Sequence, residues 1–234
     1  QPRSRGLGDV YKRQVLQFVA LLFVGRFFTP IEFGVYTLVM SAVGAITPIA
    51  AGRYDLAIVL PKRDNDARQL IRLCTWINAV VAVLVVAAMF FVAPWLAEML
   101  SRGQKPDDIA IIRDGLSVWL YAVGPIAFLV TQLNTMSYWL TRTKNFRLVS
   151  QNKIHQAISV SGFQIGTGFA SLGVTGLVTA TVAGNLASLS NLLRKTRGQY
   201  RIEGDVATTG ELAREYWKMP ALNGPNALVD AVRV

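Results

Sequence analysis

The chain has 234 residues, 52% of them hydrophobic and 16% charged, with a net charge of +10. Soluble domains carry about 25% charged residues, so this composition excludes an ordinary soluble globule of this size. A single cysteine, Cys74, excludes an internal disulfide and a thiol-only metal cluster, and with one histidine, His155, no metal site is expected.

Residues 1–14, QPRSRGLGDVYKRQ, differ in composition from the rest of the chain. They read as a basic flank, as the start of a signal peptide lacking a small-residue cleavage site, or as a translated sequencing adaptor. We set them apart as a non-native or disordered leader. A short apolar run, residues 15–28, broken by Arg26, gives an incomplete first span.

Next come stretches without any charge: 18 residues at 35–52, 25 at 73–97, 27 at 115–141 and 40 at 154–193. A bilayer core about 30 Å thick needs about 20 apolar residues per helix, so the 40-residue stretch is two spans. The turn signal Ser171-Leu172-Gly173-Val174-Thr175-Gly176 divides it into a helical hairpin. A further apolar run, 219–234, begins after Trp217-Lys218. The expected fold is all-α, a multi-spanning bundle of about six full or partial spans plus the start of a seventh. Their bounds are 15–28, 35–60, 73–97, 115–138, 154–172, 174–193 and 219–234. Residues 15–218 form the bundle, and 219–234 is expected to begin a span that is cut short, making the chain a fragment.

Basic residues alternate with the spans. One set of loops holds 18 Lys and Arg, the opposite set only four: Arg26, Arg102, Lys105 and Arg113. Lys and Arg concentrate on the cytoplasmic side of membrane proteins, which places the N-terminus in the cytoplasm. The same asymmetry accounts for the net charge without a nucleic-acid partner.

Candidate site residues lie where polar groups interrupt the apolar pattern. Arg53 and Asp55 follow 18 uncharged residues. If the helix continues to Pro61 they lie in or near the membrane, where an ionisable side chain faces a cavity or a partner. At i and i+2 on a helix they would point to different faces. Arg53, with a planar fork of donors, suits a pyrophosphate; an interhelical ion pair is the alternative. Thr131, Gln132, Asn134, Thr135 and Ser137 form a polar stretch, with 131, 134 and 135 on one face, suited either to sugar hydroxyls or to helix joining. Gln164 and Asn185 carry the same choice. His155, the only histidine, is the candidate for a proton-coupled step. Gly162 and Gly166, and the series Ala180, Gly184 and Ser188, are the small residues that let helices approach closely in lipid. Pro48, Pro94 and Pro125 are expected to bend their spans.

Three motifs carry a resemblance: Phe28-Thr29-Pro30-Ile31-Glu32-Phe33-Gly34-Val35-Tyr36, Arg53-Tyr54-Asp55-Leu56-Ala57-Ile58-Val59-Leu60-Pro61, and Tyr138-Trp139-Leu140-Thr141-Arg142-Thr143-Lys144-Asn145-Phe146. Their order and spacing resemble the N-terminal half of the O-antigen type oligosaccharide and polysaccharide flippases of the multidrug/oligosaccharidyl-lipid/polysaccharide exporter superfamily. The resemblance covers roughly residues 15–234. It implies two bundles around a central cavity, this chain supplying the first, in the bacterial cytoplasmic membrane. It also implies flipping of a polyprenyl pyrophosphate sugar for lipopolysaccharide or other surface polysaccharide, with no catalytic residue and no cofactor. Arg53, Asp55, Gln132 and Asn134 are then the substrate-binding candidates, His155 the coupling one. The partners are the lipid-linked oligosaccharide, the bilayer and the C-terminal half of the parent protein. The alternative is a membrane-embedded polymerase or glycosyltransferase using Glu98, Asp107, Asp108 and Asp114. In the first motif, Pro30 turns Thr29 away from helix, so that Thr29 or Glu32 can cap the next one.

Overall fold

The computed structural model describes residues 25–102, 106–202 and 207–232. Among them there is no strand, and the helices are α1 (Pro30–Ala50), α2 (Asp64–Ser101), α3 (Pro106–Trp119), α4 (Val123–Arg142), α5 (Phe146–Phe169), α6 (Gly173–Lys195), α7 (Thr209–Glu215) and α8 (Lys218–Val232). Short 3-10 turns occupy Tyr54–Val59 and Leu120–Ala122. Residues 15–24 of the first expected span, and the leader, lie outside the described residues.

The start of α1 follows from its first motif. Thr29 is the N-cap, its hydroxyl accepting from the Glu32 amide at 3.3 Å, while the Glu32 carboxylate accepts from the Thr29 amide at 2.7 Å. Both orphan amides are thereby satisfied. Glu32 also reaches the α5–α6 turn: a methyl group built on Gly173 would stand 2.6 Å from Glu32 Oε1. Gly173 has φ +56°, so glycine suits it for backbone and for space alike. Thr29→Ala should lower stability by about 1 kcal/mol, read as an earlier thermal unfolding midpoint in detergent.

Among the described residues, four segments are long and apolar enough to cross a membrane: Pro30–Ala50, Asp64–Ser101, Ile109–Arg142 and Gly173–Lys195. The span expected at 35–60 is shorter than its apolar pattern. α1 ends at Ala50, and Gly52 and Arg53 both adopt left-handed φ of 59° before the 3-10 turn begins. The span expected at 73–97 is longer. α2 runs for 38 residues, about 57 Å at ~1.5 Å per residue, so it outreaches a hydrocarbon core of about 30 Å at its ends.

The expected 115–138 span is built from two helices joined by the 3-10 turn Leu120–Ala122. Pro125 lies just beyond this turn, where its ring and missing N–H disturb regular helical bonding. The hairpin turn falls where its sequence signal lies, with α5 and α6 packed against each other. α5 is not among the four apolar segments. Gln151, Asn152, Lys153, His155 and Gln156 make its first half polar.

The core of the described residues has two large parts and a small one around Phe28 and Leu177. Val39, Val43, Leu116, Leu120, Val123, Ile126 and Val178 fill the middle of the bundle. Ile58, Leu70, Cys74, Met136, Trp139, Leu140, Leu192 and Leu212 fill the end where the loops rich in Lys and Arg gather, the basic end. α2 is peripheral. Only 6% of its most apolar 18-residue stretch is buried, against 56% for Gly173–Lys195. Its exposed Trp76, Phe90, Phe91 and Trp95 form a face that water would penalise and lipid would solvate. The molecule is a membrane protein.

Candidate functional site

At the basic end lies a cavity of about 570 Å³. It exists because α1 stops short. Pro48, Gly52 and Arg53 turn the chain aside, and the Tyr54–Val59 turn then packs against α2 and α4 instead of continuing the α1 axis. The left-handed backbone at Arg53 is unfavourable for a residue with a Cβ. Such strain persists where surrounding packing imposes it.

Three walls meet there. Thr47 and Pro48 come from the last turn of α1, with Arg53 and Asp55 beyond it. Asn134, Ser137, Tyr138 and Thr141 come from α4, and Lys153 from α5. Among the residues lining the cavity, two hydrogen-bonding side-chain atoms are buried without a partner, Arg53 Nε and Asp55 Oδ1. Asp55 is only 8% exposed. Burying an unpaired polar group costs free energy, so these two atoms can gain from a ligand that supplies an acceptor and a donor.

The wall geometry depends on Arg142 of the third motif. Its guanidinium bridges Asp64 Oδ1, with Nη2 at 2.9 Å and Nε at 3.1 Å, and donates from Nη1 to the Ile58 carbonyl at 3.3 Å. The second and third motifs, far apart in sequence, are thus fastened to each other beside the cavity.

Of the candidate residues, Arg53, Asp55 and Asn134 come together on this cavity. The expectation that Arg53 and Asp55 face apart assumed a helix through residue 60. The left-handed turn replaces that helix and places both on one cavity. Gln132 does not line it. Its side chain donates from Nε2 to Thr75 Oγ1 at 3.0 Å, joining α4 to α2. His155 does not line it either, and sits half-buried with Nδ1 3.4 Å from Ser159 Oγ. Thr131 and Thr135 are buried, and the Thr131 hydroxyl donates to the Thr47 carbonyl at 3.4 Å, an α4–α1 link. Lys153 is the member that sequence reasoning missed as a site residue. By pattern it is one more loop cation, in the polar first half of α5, and nothing in its spacing sets it apart.

The remaining polar residues hold helices together. Gln164 Nε2 donates to Tyr36 Oη at 3.0 Å, and Gln156 Nε2 to Asn185 Oδ1 at 2.7 Å. Gly162 and Gly166 are exposed, with open space where a Cβ would stand, so they make no close helix approach among the described residues. That approach belongs to Gly184, and to Gly124 against Ala82. Of the carboxylates suited to an enzyme, Glu98 pairs with Arg102 at 3.3 Å on the surface. The side chains of Asp107, Asp108 and Asp114 lie outside the described part. No group of three or more His, Cys, Asp or Glu suited to a metal occurs among the described residues.

The chain matches no curated protein and no solved structure. Residues 23–223 match the family model described as polysaccharide biosynthesis protein. That span includes all three motifs, every wall of the cavity and the Arg142 bridge, and the chain belongs to this family of membrane proteins of polysaccharide biosynthesis.

Proposed function

We propose that this chain is the first bundle of a flippase that moves lipid-linked oligosaccharide across the bacterial cytoplasmic membrane by alternating access. The observation that carries the reading is the cavity at the basic end, where the unpartnered Arg53 Nε and the Lys153 ammonium stand among hydroxyl and amide side chains. Guanidinium and ammonium groups suit a diphosphate. Asn134, Ser137 and Thr141 suit sugar hydroxyls, while the lipid tail stays in the bilayer. The 18-to-4 distribution of Lys and Arg supports a cytoplasmic basic end and N-terminus, so the cavity meets its substrate where the lipid-linked precursor is made. No covalent step is required, and rocking of this bundle against a second one is sufficient.

The test is reconstitution of the full gene product in vesicles with a labelled polyprenyl diphosphate oligosaccharide, using a membrane-impermeant reagent to read its sidedness. The expected result is a change of sidedness with no change of mass. A lengthened or cleaved glycan would instead establish the polymerase or glycosyltransferase alternative.

A further inference from the structure

Two of the three walls, that of Arg53 and Asp55 and that of α4, alternate along the chain between residues that face the cavity and residues that face away. Arg53 and Asp55 line the cavity. Between them, Tyr54 donates its hydroxyl to the Ala213 carbonyl at 3.1 Å. Tyr138 lines the cavity too, and beside it Trp139 donates from Nε1 to Gln199 Oε1 at 3.2 Å. Ala213 and Gln199 belong to the described parts of the stretch after α6, residues 196–202 and 207–216. That stretch is fastened elsewhere as well. Arg68 Nε donates to the Gln199 carbonyl at 2.7 Å, and Gln69 Nε2 to Thr209 Oγ1 at 2.6 Å. Leu212, 2% exposed, is packed in the same core as Ile58 and Trp139.

We infer that this stretch is a strap setting the separation of the two cavity walls, with Tyr54 and Trp139 as the positioning residues that transmit its position. Trp139 is only 2% exposed, and a ring packed at interior density cannot reorient alone. A displacement of the strap therefore carries Tyr54 and Trp139 with it. Their chain neighbours Arg53, Asp55 and Tyr138 then swing in the cavity. The strap leads directly into α8, which itself packs against α1 and the Tyr54–Val59 turn, so the strap and α8 hold the Arg53 wall from two sides. The functional meaning rests on the cavity being the binding site proposed above; the mechanical relation does not.

The experiment reads wall geometry without any substrate. Cys74 is the only cysteine and is buried, so an introduced thiol can be followed selectively. Ser137→Cys reports from the cavity, and Ser101→Cys from the far end of α2. The rate of modification by a charged methanethiosulfonate is measured in each, with and without Tyr54→Phe plus Trp139→Phe. Loss of both strap bonds should raise the rate at position 137 by about tenfold, in keeping with hydrogen bonds of ordinary strength, and leave position 101 unchanged. Gln199→Leu should act in the same direction as Trp139→Phe, whereas Gln199→Glu, which keeps an acceptor for the indole N–H, should retain the original rate. An unchanged rate at position 137 overturns the strap, and so does an equal rise at both positions, which would mean general loosening. Failure of either kind leaves the transport assay untouched, and failure of transport leaves the labelling result standing.

Discussion

Arg53→Ala is expected to reduce transport by about one to two orders of magnitude, the scale of a lost hydrogen bond to a charged group, without reducing insertion or expression. The backbone makes this substitution informative. Arg53 stands at φ 59°, a conformation that costs about 1–2 kcal/mol for any residue bearing a Cβ, and alanine bears one as arginine does. The variant therefore removes the guanidinium while the strain stays roughly constant. Arg53→Gly separates the two effects in the other direction. It relieves the left-handed strain and should hold or raise the unfolding midpoint, yet lose transport to the same degree. Arg53→Lys keeps a cation but loses the planar fork and the Nε position, so only partial recovery is expected. Near-normal transport by Arg53→Gly would reassign Arg53 to a structural role in turning the chain.

Features of the fold that are local in origin are legible in the sequence. The Thr29–Glu32 capping box needs only four consecutive residues, and the α5–α6 turn is signalled by glycines within six. Crossing segments are legible because desolvation acts on runs of about 20 residues. The stop of α1 is harder. Residues 49–60 contain no charge other than Arg53 and Asp55, so hydropathy carries the span through a point where only Gly52 signals the break. The site suffers from the same blindness to direction. Residues 131–137 share one helix, but α4 is buried on most sides. Thr131 turns to α1, Gln132 to Thr75 on α2, and Asn134 alone of these three opens on the cavity. Lys153 is unreadable as a site residue because its relation to Arg53 depends on how α5 returns across the end of α1. Spacing within one helix holds no information about that.

The same distinction between pattern and packing governs the glycines. Gly184→Leu should separate α5 from α6 and lose most of the folded bundle. At Gly184 even the first carbon would stand 2.6 Å from both the Cα and the N of Val160, which is backbone and cannot rotate away. Forcing extra atoms into a packed interface costs about 1–3 kcal/mol, and here the penalty spreads to neighbouring links. Ser188 Oγ donates to Asn152 Oδ1 at 3.1 Å on one side of the contact. The 2.7 Å bond from Gln156 to Asn185 and the 3.5 Å bond from Gln164 Nε2 to Thr181 Oγ1 complete the zipper. In lipid such interhelical bonds contribute about 0.6 kcal/mol each, so a hairpin pushed apart at its centre forfeits several together. Gly184→Ala should already lower the unfolding midpoint in detergent, although alanine is a better helix former than glycine by about 1 kcal/mol. Gly162→Ala and Gly166→Ala meet open space and should be neutral or mildly stabilising for the same propensity reason. If alanine at 162 or 166 destabilised the isolated bundle as much as alanine at 184, the G-x-x-x-G pattern would regain the packing role that its exposed position denies it.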